Sequence, residues 1–174
     1  DAGLLVLTND GSAATMAIDA LAHHGHPVPS IPQAMVARIR SVIGPPSACN
    51  PVDIGRGATA ARYAAVLEIL LTSHTPVTVL VMHVATASAS ARDVASACAT
   101  AITAPSHVVL ACLMGGDHGA DERLRERGVP CYDTPEDAVE AFALMASLAR
   151  SRRALLEVSS AFLPEPGAGR AVAR

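Results

Sequence analysis

Apolar positions along the chain fall into two alternating patterns. Short continuous runs at 4–7, 77–84 and 108–113 are rich in Val and Leu, as expected of strands covered on both faces. Between them lie longer stretches in which apolar residues recur every three or four positions, the period of a helix with one buried side. Helices are predicted over 14–24, 33–43, 59–73, 89–102 and 117–127, and from 135 to about 153. On the third of these, Tyr63, Val66, Leu67, Leu70 and Leu71 share a face. Gly25, Gly44 and Gly128 stand where helices stop. Thr134-Pro135-Glu136-Asp137 is a strong start, with a threonine N-cap, a first-turn proline and acids beside the positive end of the dipole. Residues 129–132 read as the last strand, 27–31 as a short edge strand bearing Pro27 and Pro29, and 50–56 as an ordered loop.

Strand and helix alternate from end to end, which predicts a parallel sheet with helices on both faces. We expect a three-layer, flavodoxin-like (Rossmann-like) α/β domain over residues 1–153, its five-stranded parallel sheet in the order 2-1-3-4-5. From Ser159 onward periodicity is lost, and Pro164-Glu165-Pro166-Gly167-Ala168-Gly169 follows, so 154–174 reads as an interdomain linker or tail. The chain opens at Asp1 with strand-like residues almost at once and reads as a piece of something longer.

Composition narrows the chemistry. Hydrophobic residues make up 51% of the chain but aromatics only 2%, so the core must be built from Ala, Val, Leu and Ile, with little left to stack on a flavin or a base. A net charge of -3 without a basic stripe argues against nucleic acid. All 13 cationic side chains are Arg, which excludes a P-loop lysine and a Schiff-base lysine. Cys49, Cys98, Cys112 and Cys131 lack zinc spacing and are expected as buried free thiols in a reducing cytoplasm. No apolar run is long enough to span a membrane.

Two junctions carry the candidate chemistry. Asn50-Pro51-Val52-Asp53-Ile54-Gly55-Arg56-Gly57-Ala58-Thr59 leads into the helix over 59–73, and Cys112-Leu113-Met114-Gly115-Gly116-Asp117 follows a buried strand. Glycines at such points let backbone N–H groups and the helix dipole hold an anion without a cationic side chain.

The motifs Leu5-Val6-Leu7-Thr8-Asn9-Asp10-Gly11, Asn50-Pro51-Val52-Asp53, Gly57-Ala58-Thr59 with Tyr63, and Cys112-Leu113-Met114-Gly115-Gly116 occur in one order. Gly128-Val129-Pro130 and Thr134-Pro135-Glu136-Asp137-Ala138-Val139 follow them. Together, over about residues 2–153, they resemble the second flavodoxin-like, ligase-CoA domain of NDP-forming acyl-CoA synthetases, relatives of succinyl-CoA synthetase. The resemblance implies an acid–CoA ligase that interconverts acyl-CoA, NDP and phosphate with acid, CoA and NTP through a phosphohistidine. It implies CoA, NTP or NDP, and Mg2+ for the full-length enzyme and none of them for this domain. The implied partners are neighbouring CoA-binding, phosphohistidine-bearing and ATP-grasp domains, with a homo-oligomer also allowed. The phosphohistidine site would take one helix N-terminus from this chain, the one entered through Gly55, Arg56, Gly57, Ala58 and Thr59. No phosphohistidine motif or ATP-grasp domain occurs here, so the isolated chain is expected to be inactive, with catalytic groups supplied elsewhere. Two positions depart from the family's pattern: Gly11-Ser12-Ala13-Ala14 replaces a Gly-Gly-Pro-Gly turn, and His83-Val84-Ala85-Thr86 stands where many relatives have Thr-Pro-Gln.

Each candidate also has a purely structural reading. Gly57, Ala58 and Thr59 can be an anion site or an ordinary cap, and Arg56 a phosphate partner or a solvated side chain. Asp53 fits a role accepting loop N–H bonds better than acid–base work. His83 ends the central strand, where open α/β sheets bind ligands, yet a packed histidine is the commoner outcome there. Gly115 and Gly116 suit a tight turn or a ligand contact, and Asp117 a helix cap. His23, His24 and His26 flank a helix-ending glycine and read as surface residues, leaving no metal site. Two other functions stay open: a non-catalytic CoA-sensing or regulatory module of a synthetase-like acetyltransferase fusion, and a flavodoxin.

Overall fold

The computed structural model describes residues 3–44, 49–73, 77–103, 107–116 and 118–161, with side chains of the last helix described to Leu156. The elements are β1 (Gly3–Thr8), α1 (Gly11–His23), α2 (Gln33–Ile43), β2 (Val52–Asp53), α3 (Ala60–Leu70) and β3 (Val77–Val84). They continue with α4 (Ala91–Ala101), β4 (Val108–Met114), α5 (Glu122–Glu126), β5 (Cys131–Tyr132) and α6 (Pro135–Ala161). All strand pairs are parallel, in the order β2-β1-β3-β4-β5. This is the expected flavodoxin-like architecture.

Side-chain alternation along the three long strands builds the layers. Leu5 and Leu7 of β1, Val79 and Val81 of β3, and Val109 and Ala111 of β4 face a core shared with α2, α3 and α4. Leu4 and Val6, Leu80 and Met82, and Leu110 and Cys112 face the opposite core, covered by α1 and α6. Small residues make this packing close. A β-carbon at Gly116 would lie 2.7 Å from that of Ala91, so the turn after β4 seats directly against the first turn of α4.

The edge strand differs from expectation. Residues 27–31 form no strand, and β2 lies instead within the segment read as a loop. The physical reason is Asn50. Its Oδ1 accepts from the Val6 amide at 2.8 Å, and its Nδ2 donates to the carbonyls of Leu4 at 2.9 Å and Pro29 at 3.1 Å. One side chain thus satisfies the outer edge of β1, and only Leu7 and Thr8 need a backbone partner, in Val52 and Asp53. Prolines at 27 and 29 could not have supplied that ladder.

Helix ends follow the capping residues with two exceptions. Asp10 caps α1 by accepting from the amides of Ser12 and Ala13, and Ser90 caps α4. Thr134 accepts from the Asp137 amide at 3.1 Å while its hydroxyl donates to the Asp137 carboxylate. The predicted helix over 117–127 shortens to α5, because Gly119 adopts a φ of +74° and breaks the approach; Asp117 lies outside the described residues. Helix α6 passes Arg153 and continues to Ala161, since Ala154, Leu155, Leu156 and Glu157 favour helix and no breaker intervenes. The periodicity-free segment after it lies outside the described residues.

The thiols also depart in part from expectation. Cys98 and Cys112 are buried, and burial pushes both up to about 12, whereas Cys131 is half-buried and Cys49 is exposed. No described helix is long and apolar enough to cross a membrane.

Candidate functional site

The carboxyl ends of β1 and β3 form the point where strand order reverses, and the loops there converge. Asn9, buried at the end of β1, clamps its neighbour strand: its Nδ2 donates to the Val84 carbonyl and its Oδ1 accepts from the Val84 amide, both at 2.9 Å. This fixes the start of α1 against the end of β3. Beside it, the Asp53 carboxylate accepts from the Gly55 amide at 2.8 Å, the turn-holding role. Gly55 has a φ of +79°, and the Ala58 amide closes the turn on the Gly55 carbonyl at 2.9 Å.

Helix α3 therefore begins at Ala60, later than Gly57, with Thr59 as N-cap. The threonine hydroxyl accepts from the Arg62 amide at 3.3 Å. The amides of Ala60 and Ala61, first in the helix, have no intrahelical acceptor and point outward with the positive end of the dipole. Ala58 is not one of the free donors: its amide is taken by the turn, and its side chain is wholly buried in the core beside Tyr63. Gly57, by contrast, faces open space, and an added β-carbon would meet nothing within 4 Å.

Arg56 is neither free nor directed at the α3 terminus. Its Nη1 forms an ion pair and hydrogen bond with Oδ2 of Asp10, the same carboxylate whose Oδ1 caps α1. Asp10 is nearly buried, but the Arg56 side chain keeps 69% of its surface exposed. One nitrogen is engaged, and the guanidinium carries further N–H donors on a side chain that is mostly exposed. Sequence reasoning missed this pair, since the two residues lie 46 positions apart and nothing local links them.

His83 is fully buried at the end of β3. Its Nδ1 lies 3.1 Å from the Tyr63 hydroxyl and its Nε2 3.2 Å from the Ala89 carbonyl, while the Tyr63 hydroxyl sits 2.9 Å from the Met82 carbonyl. Burial lowers the histidine pKa, only partly opposed by the Ala89 contact, so the ring is neutral at pH 7. With Nε2 carrying the proton toward Ala89, Nδ1 accepts from the tyrosine hydroxyl, which has one proton to share between His83 and Met82. His83 and Tyr63 thus pin α3 to β3 and to the loop before α4 and expose no ring atom to a ligand. Gly115, at a φ of +73°, and Gly116 shape the turn after β4. A cleft of about 340 Å³ opens there, lined in part by Gly116, Asp121, Arg125 and Asp133. Among the described residues no group of three or more His, Cys, Asp or Glu side chains is placed to hold a metal ion.

No protein-family profile matches the chain. Solved structures do. An acetyl-CoA synthetase 1 of Candidatus Korarchaeum cryptofilum, described as dinucleotide-forming and free of ligand, matches with a TM-score of 0.83 and 27% identity over 91% of this chain and 36% of that one. The same enzyme in complex with phosphate and ADP gives 0.81 and 26%, over 90% of this chain and 35% of that one. A Pyrococcus horikoshii OT3 protein gives 0.72 and 26%, over 83% of this chain and 35% of that one. The chain is thus similar, along nine-tenths of its length, to one domain of an NDP-forming acyl-CoA synthetase. It spans about a third of the length of the proteins it matches.

Proposed function

We propose that this chain serves as the ligase-CoA domain of an NDP-forming acyl-CoA synthetase and supplies one helix N-terminus of its phosphohistidine site. The full-length enzyme would interconvert acyl-CoA, NDP and phosphate with acid, CoA and NTP. The observation that carries the reading is the α3 start. There the amides of Ala60 and Ala61 lack intrahelical acceptors behind the neutral Thr59 cap, and the backbone at Gly57 lies open. The solved synthetase that carries phosphate and ADP supports nucleotide and phosphoryl chemistry in such a protein. CoA, NTP and Mg2+ would bind other domains, a CoA-binding module before this one and an ATP-grasp module reached through the segment beyond α6.

In this arrangement the chain does no bond-making. The α3 dipole and amides offset charge on a phosphoryl dianion, and Asp10 holds Arg56 at the rim so that its unengaged N–H groups meet phosphoryl oxygens. The test is phosphoenzyme formation from acyl-CoA and phosphate in the full-length protein. Ala61→Asp places a carboxylate on an exposed first-turn position that the helix itself tolerates, and it should repel the dianion. Gly57→Val obstructs the approach without touching the core. Each should slow the step by the equivalent of about 2–4 kcal/mol. Wild-type rates in both folded variants would reduce α3 to a scaffold.

A further inference from the structure

We propose that His26 and Phe142 form an acid-released latch that holds helix α6 against the end of α1. The ring is delivered by the way α1 stops. Gly25 turns at a φ of +70°, its amide donates to the Ala22 carbonyl at 3.0 Å, and the His26 amide donates to the Leu21 carbonyl at 2.9 Å. This doubly bonded cap fixes the His26 backbone, and the ring meets Phe142 of α6 edge-on, with centroids 5.2 Å apart. His26 is half-buried there, whereas His23 and His24 stay exposed. Phe142 is buried, and the partly buried Ala146 packs against the same core between the sheet, α1 and α6. Every described α6 side chain from Ser147 to Leu156 is exposed, so His26 lies against the last packed turns of the helix.

The charges around this contact make it respond to acid. Phe142, Ala146 and Arg150 follow one another at four-residue spacing, along one ridge of α6. Arg150 and, from the end of α1, His24 are the charges that act on His26. The carboxylates of this face, Asp19 of α1 with Glu136 and Glu140 of α6, line a groove with His23 and His24 and are not among them. Among the described residues no carboxylate forms an ion pair with His26. An imidazolium here is therefore partly desolvated and repelled by its charged neighbours. Attraction to the Phe142 ring does not compensate: burial first, then Arg150 and His24, lower the His26 pKa from its ordinary value. A proton thus favours the state in which the ring has left Phe142 for water, and this end of α6 is let go with it. Above about pH 6.5 the ring is neutral and the latch closed, and below it closure is lost progressively.

The experiment is hydrogen exchange of the 174-residue chain from about pH 7.5 to about pH 5, read by mass spectrometry and corrected for the intrinsic rate at each pH. Peptides across 142–150 should lose protection by more than about threefold as pH falls, while those of β3 keep theirs. His26→Phe keeps an aromatic ring that cannot titrate, so it should abolish the fall. His26→Gln, also uncharged, should abolish it from a lower starting level, because the ring contact is gone. Arg150→Gln removes one repulsion and should shrink the fall, with the His26 titration midpoint seen by NMR moving up. Protection across 142–150 that ignores pH overturns the proposal. So does a fall that persists in His26→Phe, or one that β3 shares in full, since that is global unfolding rather than release of one helix end.

Discussion

Replacing Asn50 by alanine should destabilise the domain far more than deleting one partly exposed side chain would suggest. The asparagine amide makes three bonds, and two of its partners, the Val6 amide and the Leu4 carbonyl, belong to residues with no exposed surface on the outer edge of β1. An orphaned buried backbone group costs about 1–3 kcal/mol. Two such groups, relieved in part by water entering where Asn50 itself is only partly buried, give about 2–4 kcal/mol. For a domain of this size that is a fall in melting temperature of about 5–15 °C. The assay is paired thermal and urea unfolding followed by circular dichroism. Asn50→Asp adds a sharper arm: it keeps an acceptor for Val6 but turns a second oxygen toward the carbonyls of Leu4 and Pro29, where Asn50 donated. It should lose at least as much stability as alanine at pH 7 and recover part of it in acid, when protonation returns a donor. If Asn50→Ala lost less than about 0.5 kcal/mol, the range of an ordinary surface change, β1 would be satisfied by solvent and the account of the short edge strand would fail.

Three further outcomes follow from buried groups. Because burial lowers the His83 pKa, the unfolded chain takes up a proton near pH 6.5 that the native ring resists. His26 acts in the same sense, through burial first and then Arg150 and His24. Stability is therefore full above about pH 6.5 and falls below it, and urea midpoints in His83→Gln should show a flatter pH slope than wild type. Tyr63→Phe removes the hydroxyl shared by Met82 and His83 and should cost about 1–2 kcal/mol by the same unfolding assay, without a change in secondary structure. Cys49 should react with a thiol reagent at once, whereas Cys98 and Cys112, held protonated by burial, should react only as the protein unfolds.

The parts of this fold that were legible in the sequence are those set by local pattern. Continuous apolar runs marked β3 and β4, since strands buried on both faces need no alternation, and Thr134 announced α6 through bonds made within four residues. What escaped was set by contacts between distant segments. Asn50 could not be read as a substitute for an edge strand, because its partners at Leu4 and Val6 are more than forty residues away. The same distance hid the bond from Arg56 to Asp10, and with it the reason that a guanidinium stands at this crevice. His83 was legible as a strand-end histidine, but its neutral, enclosed state depends on Tyr63, which helical spacing marked only as a core residue. Ala58 was placed by sequence in an anion loop, although the tight turn from Gly55 takes its amide and turns its methyl group inward.

Two helices start at the carboxyl edge of the sheet near its switch point, α1 after β1 and α3 after β2, and physical chemistry distinguishes them. Helix α1 is capped by a carboxylate: Asp10 places negative charge on the dipole and occupies the amides of Ser12 and Ala13, so an incoming phosphate would meet repulsion and fewer free donors there. Helix α3 is capped by a neutral hydroxyl that takes only the Arg62 amide, leaving the first two N–H groups and the dipole uncompensated. The ion pair between them turns this asymmetry into a position for Arg56. The acid that caps α1 also anchors Arg56, whose side chain stays mostly exposed. Asp10→Asn tests the coupling. It retains an N-cap oxygen for α1, so folding should persist, but it releases Arg56 from its fixed place. In the full-length protein, phosphoenzyme formation should then slow by less than in Ala61→Asp, because only the rim donor is displaced and the α3 amides remain. A loss equal to or greater than that of Ala61→Asp would move the centre of anion binding from the α3 amides to the Asp10–Arg56 pair.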